Sequence, residues 1–508
     1  MKPIPIIDIF AGPGGLSEGF GAVNGQLKVS PFKIALSIEN DFYSWQTLSL
    51  RHFFRQFQTN NYAIPQEYYL HLAEKLGRDE LFKKFPKAAK EALNASWQTT
   101  LGEVDEEELD LRIQRAVGES KNWILIGGPP CQAYSLAGRS RNMGIKDYVP
   151  EKDKRHFLYR EYLRILAKHQ PPIFVMENVK GLLSSKLNGE NLFEKVLADL
   201  KNPHNGNLTL PHCGHRYKLF SLVVNNFNPS PESLVVRSEK YGIPQKRHRV
   251  IIIGIRDDID AQPGTLDECI EHVPIKHVIS GLPKIRSRIS GRIDNQSEWT
   301  KNLLNVKKFR WFKELDSDLK DKINETLESQ KAYNYEISKT SSYRKPDKYD
   351  DWFIDRGLIE VPNHDSRSHM KSDLHRYLFV STFGAVRGFS PKLSDFPKSL
   401  LPAHKNAVAS ALSGKTFVDR FRVQRYDQPA TTITCHISKD GHYYIHPDPA
   451  QCRSLTVREA ARVQTFPDNY FFCGPRTSQY IQVGNAVPPL LARQIAEIVW
   501  DVLKELDL

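Results

Sequence analysis

One cysteine stands in a setting that suits nucleophilic chemistry. The stretch ILIGGPPCQAYSLAGR (124–139) runs from apolar residues into two glycines, then Pro129, Pro130 and Cys131. A thiolate is a strong nucleophile whose pKa falls beside cations, and the prolines restrict the backbone that carries the thiol. A lone cysteine is more often a small buried hydrophobic residue, but the prolines and the preceding apolar strand favour a positioned nucleophile.

Two further clusters carry groups for acid–base and anion chemistry. FVMENV places Glu177 and Asn178 at the end of another apolar run, where a carboxylate whose pKa is raised by burial can act as a general acid. YGIPQKRHRVIIIGI places Gln245, Arg247 and Arg249 before an apolar strand, and residues two apart in an extended chain face the same side. Arginine suits phosphate and carbonyl oxygens. Taken alone, either cluster is better explained as a surface group or an ion pair.

A glycine-rich turn follows the first apolar segment. In IIDIFAGPGGLSEGF, Gly12, Gly14 and Gly15 stand between a predicted strand and a predicted helix. Glycines there let the backbone approach a ligand closely, and the helix N-terminus offers free N–H groups. Glu39 ends the next strand, where an acid can bind a ribose hydroxyl in such folds. The spacing is not GxGxxG, so a dinucleotide is not favoured, and a purely structural turn is the alternative.

Strands and helices alternate along the first half of the chain. The apolar segments PIPIIDIF, FKIALSIEN, NWILIGG, IFVMEN and RVIIIGI read as strands, with helical segments such as FLYREYLRILAKH between them. This alternation predicts an α/β fold with a doubly wound parallel sheet. Residues 41–121 are mostly helical in pattern and are predicted to form an insert.

The composition and the pattern of the sequence change after Arg256. Residues 257–425 are rich in Lys, Arg, Ser and Asp without regular alternation, short strands return from QPATTITCHI, and LARQIAEIVWDVLKEL reads as an amphipathic closing helix. These changes predict a separate, variable domain after Arg256.

Composition narrows the classes of function. A net charge of +12 and a pI of 9.2 favour a polyanionic partner, although a basic enzyme indifferent to nucleic acid is the alternative. Six cysteines in 508 residues, without paired spacing, argue against a disulfide framework and fit a reducing cytosol. No apolar run reaches about 18 residues, and the N-terminal MKPIPIIDIF has no signal-peptide pattern. We therefore expect no membrane span and no export.

The histidines and cysteine around LPHCGH offer a tempting metal site. His212, Cys213 and His215 lie close in sequence, with His204 upstream. A structural zinc site needs four ligands in tetrahedral geometry. The spacing matches no common zinc module, so no metal is expected.

The motifs together resemble those of a known family. DIFAGPGGLSEGF, GGPPCQAYS, MENV, QKRHR, LTVREAARVQTFPD and GNAVPP occur in the order typical of DNA (cytosine-5) methyltransferases. The resemblance spans Ile6 to Ile255 and about Gln428 to Ala496, and it points to the bacterial restriction–modification type. It implies a Rossmann-like S-adenosylmethionine-dependent sheet in a discontinuous catalytic domain of residues 1–256 and 477–508, with a smaller target-recognition domain at residues 257–476.

The family's chemistry assigns a role to each cluster. By resemblance, Cys131 adds to carbon 6 of a cytosine that has been flipped out of the duplex, which makes carbon 5 nucleophilic. Glu177 would hold the base at N3 and the exocyclic amine, Arg249 would contact the carbonyl oxygen, and Arg247 would support the substrate and the cysteine. The residues implied to contact DNA are Gln132, Asn178, Gln245 and Thr432.

The same comparison implies a binding site for S-adenosylmethionine. Glu39 would bind its ribose, and Glu103, in LGEVDE, stands where the family usually has Asp in Gly-Asp-Ile near the adenine. That departure is conservative, but the long insert before it weakens the alignment. The other implied cofactor contacts are Phe10, Gly12, Gly14, Gly15, Pro130, Leu158, Asn485 and Val487.

The implied partner is double-stranded DNA, with a cognate restriction endonuclease encoded separately. We expect a cytoplasmic monomer associated with the nucleoid. A tRNA cytosine methyltransferase of the same family is the nearest alternative, but that branch lacks so long a variable domain. A catalytically silent DNA-binding relative is disfavoured by the intact cysteine, glutamate and arginines, and a cysteine hydrolase by the lack of an evident histidine partner.

Overall fold

A sheet of eight strands, flanked by helices, forms the first part of the molecule. The computed structural model describes residues 2–23, 30–60, 62–130, 155–187, 190–205, 214–226, 229–291, 293–331, 337, 345–403 and 419–505. The strands of the whole described chain, eight of which form this sheet, are β1 (Ile4–Ile9), β2 (Phe32–Glu39), β3 (Ser96–Gln98), β4 (Ile124–Gly127), β5 (Ile173–Val179), β6 (Lys186–Leu187), β7 (Glu190–Asn191), β8 (Tyr217–Phe220), β9 (Val235–Arg237), β10 (Gln245–Lys246), β11 (His248–Arg256), β12 (Arg288–Ile289), β13 (Ser368–His369) and β14 (Ala430–Thr431).

Helices fill most of the remaining described chain. The α-helices are α1 (Gly15–Gly21), α2 (Phe42–Thr59), α3 (Gln66–Leu72), α4 (Arg78–Lys84), α5 (Pro86–Asn94), α6 (Glu106–Val117), α7 (Arg155–His169), α8 (Leu192–Lys201), α9 (Lys276–Ile279), α10 (Gln296–Leu304), α11 (Arg310–Lys313), α12 (Ser317–Lys331), α13 (Asp350–Phe353), α14 (Lys371–Arg387), α15 (Val457–Val463), α16 (Arg476–Asn485) and α17 (Pro489–Glu505). Short 3-10 helices cover Lys180–Ser184, Pro231–Leu234, Ser238–Tyr241, Asn305–Lys308, Leu393–Asp395, Lys398–Leu400 and Cys435–Ser438. The mostly helical pattern of residues 41–121 corresponds to α2 to α6, interrupted by β3. None of the helices within the described ranges combines the length and the apolar character that a membrane crossing requires.

The sheet has the order β3-β2-β1-β4-β5-β11-β8, with β9 also paired to β11. The strands from β3 to β5 are parallel, as the sequence predicts. The expectation of a wholly parallel sheet is wrong at one edge, because β11 runs antiparallel to β5, β8 and β9. The chain from β9 to β11 is a short connection, whereas a parallel strand needs a longer crossover. The fold class is confirmed as α/β, with this antiparallel edge.

The parallel strands are buried on both faces. All six residues of β1 and all four of β4 are buried, as expected where helices cover both sides of a sheet. One apolar cluster joins Ile6 to Phe20 of α1 and Ile495 of α17. The opposite cluster joins Ile7 to Leu163 of α7. The two apolar clusters pack against opposite faces of the sheet and stabilise the positions of its strand ends.

The first and last helices of this region pack unusually closely. An added Cβ at Gly15 would lie 2.1 Å from the carbonyl oxygen of Val487, and one at Gly19 would lie 2.4 Å from the backbone nitrogen of Arg493. Glycine is therefore required at both positions, because the neighbouring backbone has no room for a side chain. This contact seats the C-terminal segment against the helix that follows the glycine-rich loop.

The chain divides into two compact units. The first contains Met1–Pro65, Arg78–Glu271 and Ala486–Leu508, and the second contains Gln66–Gly77 and His272–Asn485. The predicted domain bounds after residues 256 and 476 lie elsewhere, because Leu266 packs in the first unit's core while Gly484 packs against the backbone of Cys435 in the second.

The second unit also takes a piece of the predicted helical insert. The hydroxyl of Tyr69, on α3, donates to the Asp355 carboxylate at 3.0 Å, and that of Tyr68 donates to the Asn469 carbonyl at 3.2 Å. These contacts join residues far apart in sequence, which no local pattern could indicate.

The stretch LTVREAARVQTFPD is a buried polar framework of the second unit. Arg453 binds Glu459 at 2.6 Å and Arg462 binds Asp468 at 2.7 Å, with all four side chains buried. The Arg458 guanidinium donates to the carbonyl oxygens of Pro362, Pro467 and Tyr470. Buried charges are tolerated only when paired and hydrogen-bonded in this way.

Replacing Gly19 by alanine should destabilise the protein. The new Cβ would meet backbone atoms of α17, and overpacking of this kind costs about 1–3 kcal/mol or more. Gly264→Ala is the matched control, because no atom lies within 4 Å of a Cβ added there. Chemical denaturation should show a lower free energy of unfolding for Gly19→Ala than for Gly264→Ala. Equal values would contradict the close helix contact.

Candidate active site

The predicted functional residues gather where four parallel strands end. The glycine-rich loop follows β1, Glu39 ends β2, the prolines follow β4, and Glu177 lies near the end of β5. These strands are neighbours in the order β2-β1-β4-β5 and run in one direction. Their carboxyl ends therefore meet at one edge of the sheet, where open α/β folds bind ligands.

The loop after β1 has a left-handed backbone at three residues. Phe10, Gly12 and Gly14 have φ angles of 54°, 55° and 89°. The N–H of Gly14 donates to the carbonyl of Ala11 at 2.9 Å, and helix α1 begins at Gly15. A left-handed conformation is costly for a residue with a Cβ, so Phe10 marks this loop as a constrained site.

Glu39 is tied to the loop through its carboxylate. The N–H of Gly12 donates to its Oε2 at 2.8 Å and the N–H of Asp41 donates to its Oε1 at 2.9 Å. Burial raises the pKa of Glu39, although these backbone hydrogen bonds act against the rise. A carboxylate oxygen has capacity for more than one hydrogen bond, and the space beside Gly12 admits a Cβ without contact. The acid and the open backbone beside it fit a ribose.

Glu177 and Arg249 form a charge pair between β5 and β11. Nε of Arg249 lies 2.9 Å from Oε1 of Glu177, but the N–H is not aligned for a hydrogen bond, so both atoms keep hydrogen-bonding capacity. Burial lowers the pKa of Arg249, and the attraction of Glu177 opposes that change. The Glu177 carboxylate also lies against Gly128, where an added Cβ would be 3.0 Å from its Oε2.

Asn178 holds the segment that leads to the cysteine. Its Nδ2 donates to the carbonyl oxygen of Pro129 at 3.2 Å, and its Oδ1 accepts the N–H of Val179 at 2.7 Å. The residue is buried. Its amide thus connects β5 to the prolines after β4. Cys131 and Gln132 themselves lie outside the described residues.

Gln245 and Arg247 are buried beside a serine that the sequence analysis did not single out. The hydroxyl of Ser238 donates to the Gln245 carbonyl at 2.7 Å and accepts the N–H of Arg247 at 3.0 Å. Of the two arginines predicted to share a target, Arg249 is the one that pairs with Glu177 at 2.9 Å.

The remaining predicted residues differ in position. Pro130 and Leu158 are half-buried in the first unit, Val487 is buried against Gly15, and Glu103 is exposed in the turn between β3 and α6. Asn485 and Thr432 belong to the second unit. Asn485 is the exposed last residue of α16, and the carbonyl of Thr432 accepts the Tyr444 hydroxyl at 3.1 Å.

Sequence reasoning missed Asp8, which lies on β1 behind the glycine-rich loop. The signal was present, because an acid stands within the apolar strand IPIIDI. Asp8 is buried and neither of its carboxylate oxygens accepts a hydrogen bond within the described part of the chain.

Comparisons with known proteins assign the chain to a family. The family model described as "C-5 cytosine-specific DNA methylase" matches residues 70–500. The chain belongs to this family. The predicted enzyme class, a DNA (cytosine-5-)-methyltransferase, is thereby confirmed, and family and fold imply that S-adenosylmethionine is the methyl donor.

Curated relatives and a solved structure agree with that assignment. The methylase is 32% identical to Type II methyltransferase M.Bpa9945I of Bacillus paralicheniformis over 98% of this chain and 99% of the relative. It is 28% identical to Type II methyltransferase M.DdeI of Desulfomicrobium norvegicum over 97% of this chain and 88% of the relative. A crystal structure described as a DNA modification methyltransferase encoded within a prophage (E. coli) has a TM-score of 0.53, 18% identity and 99% coverage of both chains, and supports the fold.

Replacing Glu39 by alanine should weaken binding of S-adenosylmethionine to the methylase. A hydrogen bond to a charged acceptor contributes about 1.5–3 kcal/mol, which corresponds to roughly a 10- to 150-fold rise in Kd. Calorimetric titration measures the effect, and Glu107→Ala, at an exposed acid of α6, is the control expected to leave the Kd unchanged. Equal affinity of Glu39→Ala and the parent would remove Glu39 from the cofactor site.

Proposed function

We propose that this protein methylates carbon 5 of a cytosine within a specific double-stranded DNA sequence through a covalent Cys131 intermediate. The observation that carries the proposal is the Glu177–Arg249 pair at 2.9 Å, at the end of the strand next to the one that leads to Cys131. A carboxylate and a guanidinium placed together offer both an acceptor and a donor to the edge of a base.

The reaction requires a nucleophile because carbon 5 of cytosine is itself poorly nucleophilic. Addition of the Cys131 thiolate to carbon 6 converts the ring into an enamine, and carbon 5 can then take up the methyl group. Loss of the carbon 5 proton and elimination of the thiolate restore the aromatic ring. S-adenosylmethionine, when bound, supplies the methyl group from a sulfonium centre, and Glu39, Gly12 and Phe10 would hold it.

Glu177 and Arg249 would share the base between them. Glu177 would accept from the exocyclic amine and stabilise a proton at N3, which draws electrons away from carbon 6. Arg249 would donate to the carbonyl oxygen. Their contact at 2.9 Å places a carboxylate acceptor and a guanidinium donor side by side.

The neighbouring residues would position the thiol. Asn178 binds the Pro129 carbonyl at 3.2 Å, and an added Cβ at Gly127 would lie 2.4 Å from the carbonyl of Ile9. The end of β4 is therefore closely packed on both sides. Rigid placement of this kind is how a protein turns a bimolecular step into an oriented one.

The DNA assignment draws on charge and on the relatives. A net charge of +12 suits a polyanion, and the target base must leave the duplex to reach the site. Residues 257–476 are proposed to read the sequence in the major groove, and Thr432, Gln132 and Gln245 to contact DNA near the flipped base. The tRNA alternative is disfavoured because two relatives that match 97–98% of the chain are named Type II methyltransferases.

The biological role proposed is protection of host DNA from a separately encoded restriction endonuclease. Such an enzyme would work as a monomer in the cytoplasm, bound to the nucleoid. The partner nuclease is inferred from the relatives' type alone.

Cys131→Ser should abolish methyl transfer, because a hydroxyl is far less ionised than a thiol near neutral pH. Transfer of tritiated methyl groups to duplex DNA and to tRNA measures the activity and decides between the two substrates. DNA containing 5-fluorocytosine at the target should trap the parent enzyme covalently, since fluorine cannot leave as a proton. Turnover by the serine variant, or the lack of an adduct with the parent, would contradict the mechanism.

Glu177→Gln should slow methylation by roughly a hundredfold or more, the usual loss when acid–base help is removed. Single-turnover kinetics isolate the chemical step, and an unchanged far-UV circular dichroism spectrum shows that the fold persists. Glu194→Gln on α8 is a suitable control, because it removes a carboxylate from the surface helix that follows β7. A rate within twofold of the parent would exclude the proposed role of Glu177.

A further inference from the structure

Asp8 is the least satisfied charged group among the described residues of the first unit's sheet. It is the residue before the last in β1 and lies between Ser37 of β2 and Ile126 of β4. Its side chain is 1% exposed, and within the described chain neither carboxylate oxygen accepts a hydrogen bond. Buried carboxylates are ordinarily paired or hydrogen-bonded, because an isolated buried charge is costly.

Several polar groups surround Asp8, yet none neutralises it. The Ser17 hydroxyl lies near enough to lower the pKa of Asp8, but it donates to the carbonyl of Gly14 at 3.1 Å. Arg55 also lowers that pKa, but this guanidinium binds Glu18 at 2.8 Å. The polar and titratable groups that act on Asp8 are Ser17 of α1, Glu39 of β2, Arg55 of α2 and Tyr162 of α7. Ser37 of β2, the register partner of Asp8, is hydrogen-bonded to His52 of α2.

The pKa of Asp8 is raised into the neutral range of pH. Burial, with a smaller contribution from the nearby Glu39 carboxylate, raises its pKa to about 7. Burial lowers the pKa of His52 well below its ordinary value and raises that of Tyr162, so both stay neutral. At pH 7 the protonated and ionised forms of Asp8 are therefore both populated.

The position of Asp8 connects it to the cofactor site. The strand that carries it continues into Phe10 and the loop whose Gly12 N–H binds Glu39 at 2.8 Å. A cation bound against this loop would favour the ionised form of Asp8, whereas a neutral ligand would not. The methyl donor carries a sulfonium charge, and the demethylated product, S-adenosylhomocysteine, carries a neutral thioether at the same atom.

We propose that Asp8 is a positioning residue that senses the charge of the bound cofactor, ionising when S-adenosylmethionine binds and taking up a proton when the product replaces it. This inference rests on the proposed function, since it takes the cofactor to lie at Glu39 and the loop. The protein thereby binds the donor more tightly than the product, and this difference in affinity grows with the extent to which Asp8 ionises when the donor binds. A carboxylate that accepted hydrogen bonds would be ionised with either ligand. The lack of such hydrogen bonds at Asp8 is what allows its protonation to depend on the ligand.

The two ligands provide their own control, because they share the adenosine, amine and carboxylate groups. The ratio of the S-adenosylhomocysteine Kd to the S-adenosylmethionine Kd should rise between pH 6 and pH 8, by up to about tenfold when the donor lowers the pKa of Asp8 by a unit or more. In Asp8→Asn, which keeps the shape but cannot ionise, the ratio should be independent of pH. Calorimetry at pH 7 in buffers of different ionisation enthalpy should show roughly half a proton more released by the donor than by the product in the parent, and no difference in Asp8→Asn.

Asp110→Asn is the matched variant in the same unit. Burial acts to raise the pKa of Asp110, but His169 and Arg164 hold it below its ordinary value. Asp110 is therefore already ionised. The Asp110→Asn variant should show the same difference in proton release as the parent. A pH-independent ratio in the parent, or a proton difference that persists in Asp8→Asn, would overturn the role of Asp8. A parent protein that binds neither ligand would instead overturn the proposed function, and this role with it.

Thermal unfolding tests the titration of Asp8 in the folded protein without any ligand. The pKa of Asp8 is higher in the folded than in the unfolded chain, whose value is near 3.8, so its contribution to stability is full below pH 3.8 and is lost as the pH rises through about 7. Asp8→Asn should therefore raise the melting temperature more at pH 8 than at pH 5. A gain equal at both pH values would show that Asp8 does not titrate in the folded protein, and would overturn the proposal.

Discussion

Parallel hydrogen bonding among β2, β1, β4 and β5 is the constraint on which the rest of the site depends. Because these strands run in one direction, each delivers its last residues to the same edge of the sheet. Glu39, the glycine-rich loop, the prolines before Cys131 and Glu177 come from distant parts of the sequence and meet there. Reversing or displacing one strand would separate the glycine-rich loop from Glu177.

Close backbone contact makes that edge rigid. Gly127 lies against the backbone of Ile9, and Gly15 against that of Val487, at distances that exclude any side chain. Glycine at these two positions allows close backbone contact, whereas Gly12 and Gly14 allow the backbone to adopt a left-handed conformation. Two physically different uses of one residue type therefore meet in one loop, and a sequence motif written as a row of glycines does not separate them.

Buried charges are satisfied to different degrees in the described residues. In the second unit, Arg453 pairs with Glu459 and Arg462 with Asp468, and all four side chains are buried. The first unit leaves charge incompletely satisfied near the strand ends, where Glu177 and Arg249 touch without an aligned hydrogen bond and Asp8 has no hydrogen-bond partner in the described chain. Natural folds tend to carry unsatisfied groups at functional sites, so the incomplete satisfaction of charge near the strand ends agrees with chemistry at the sheet edge.

The sequence by itself determined the α/β class, the strands β1, β2, β4, β5 and β11, and the identity of the acid, the arginines and the glycine-rich loop, because hydrophobic period and motif order are local properties. Tertiary structure decided that β11 runs antiparallel, that residues 66–77 join the second unit, and that Arg249 contacts Glu177. It also decided that Asn178 binds Pro129 and that Asp8 is buried without a hydrogen-bond partner in the described chain. These features depend on which strands become neighbours and on what surrounds each side chain. Both are set by packing between distant segments, which the periodicity of one segment does not encode.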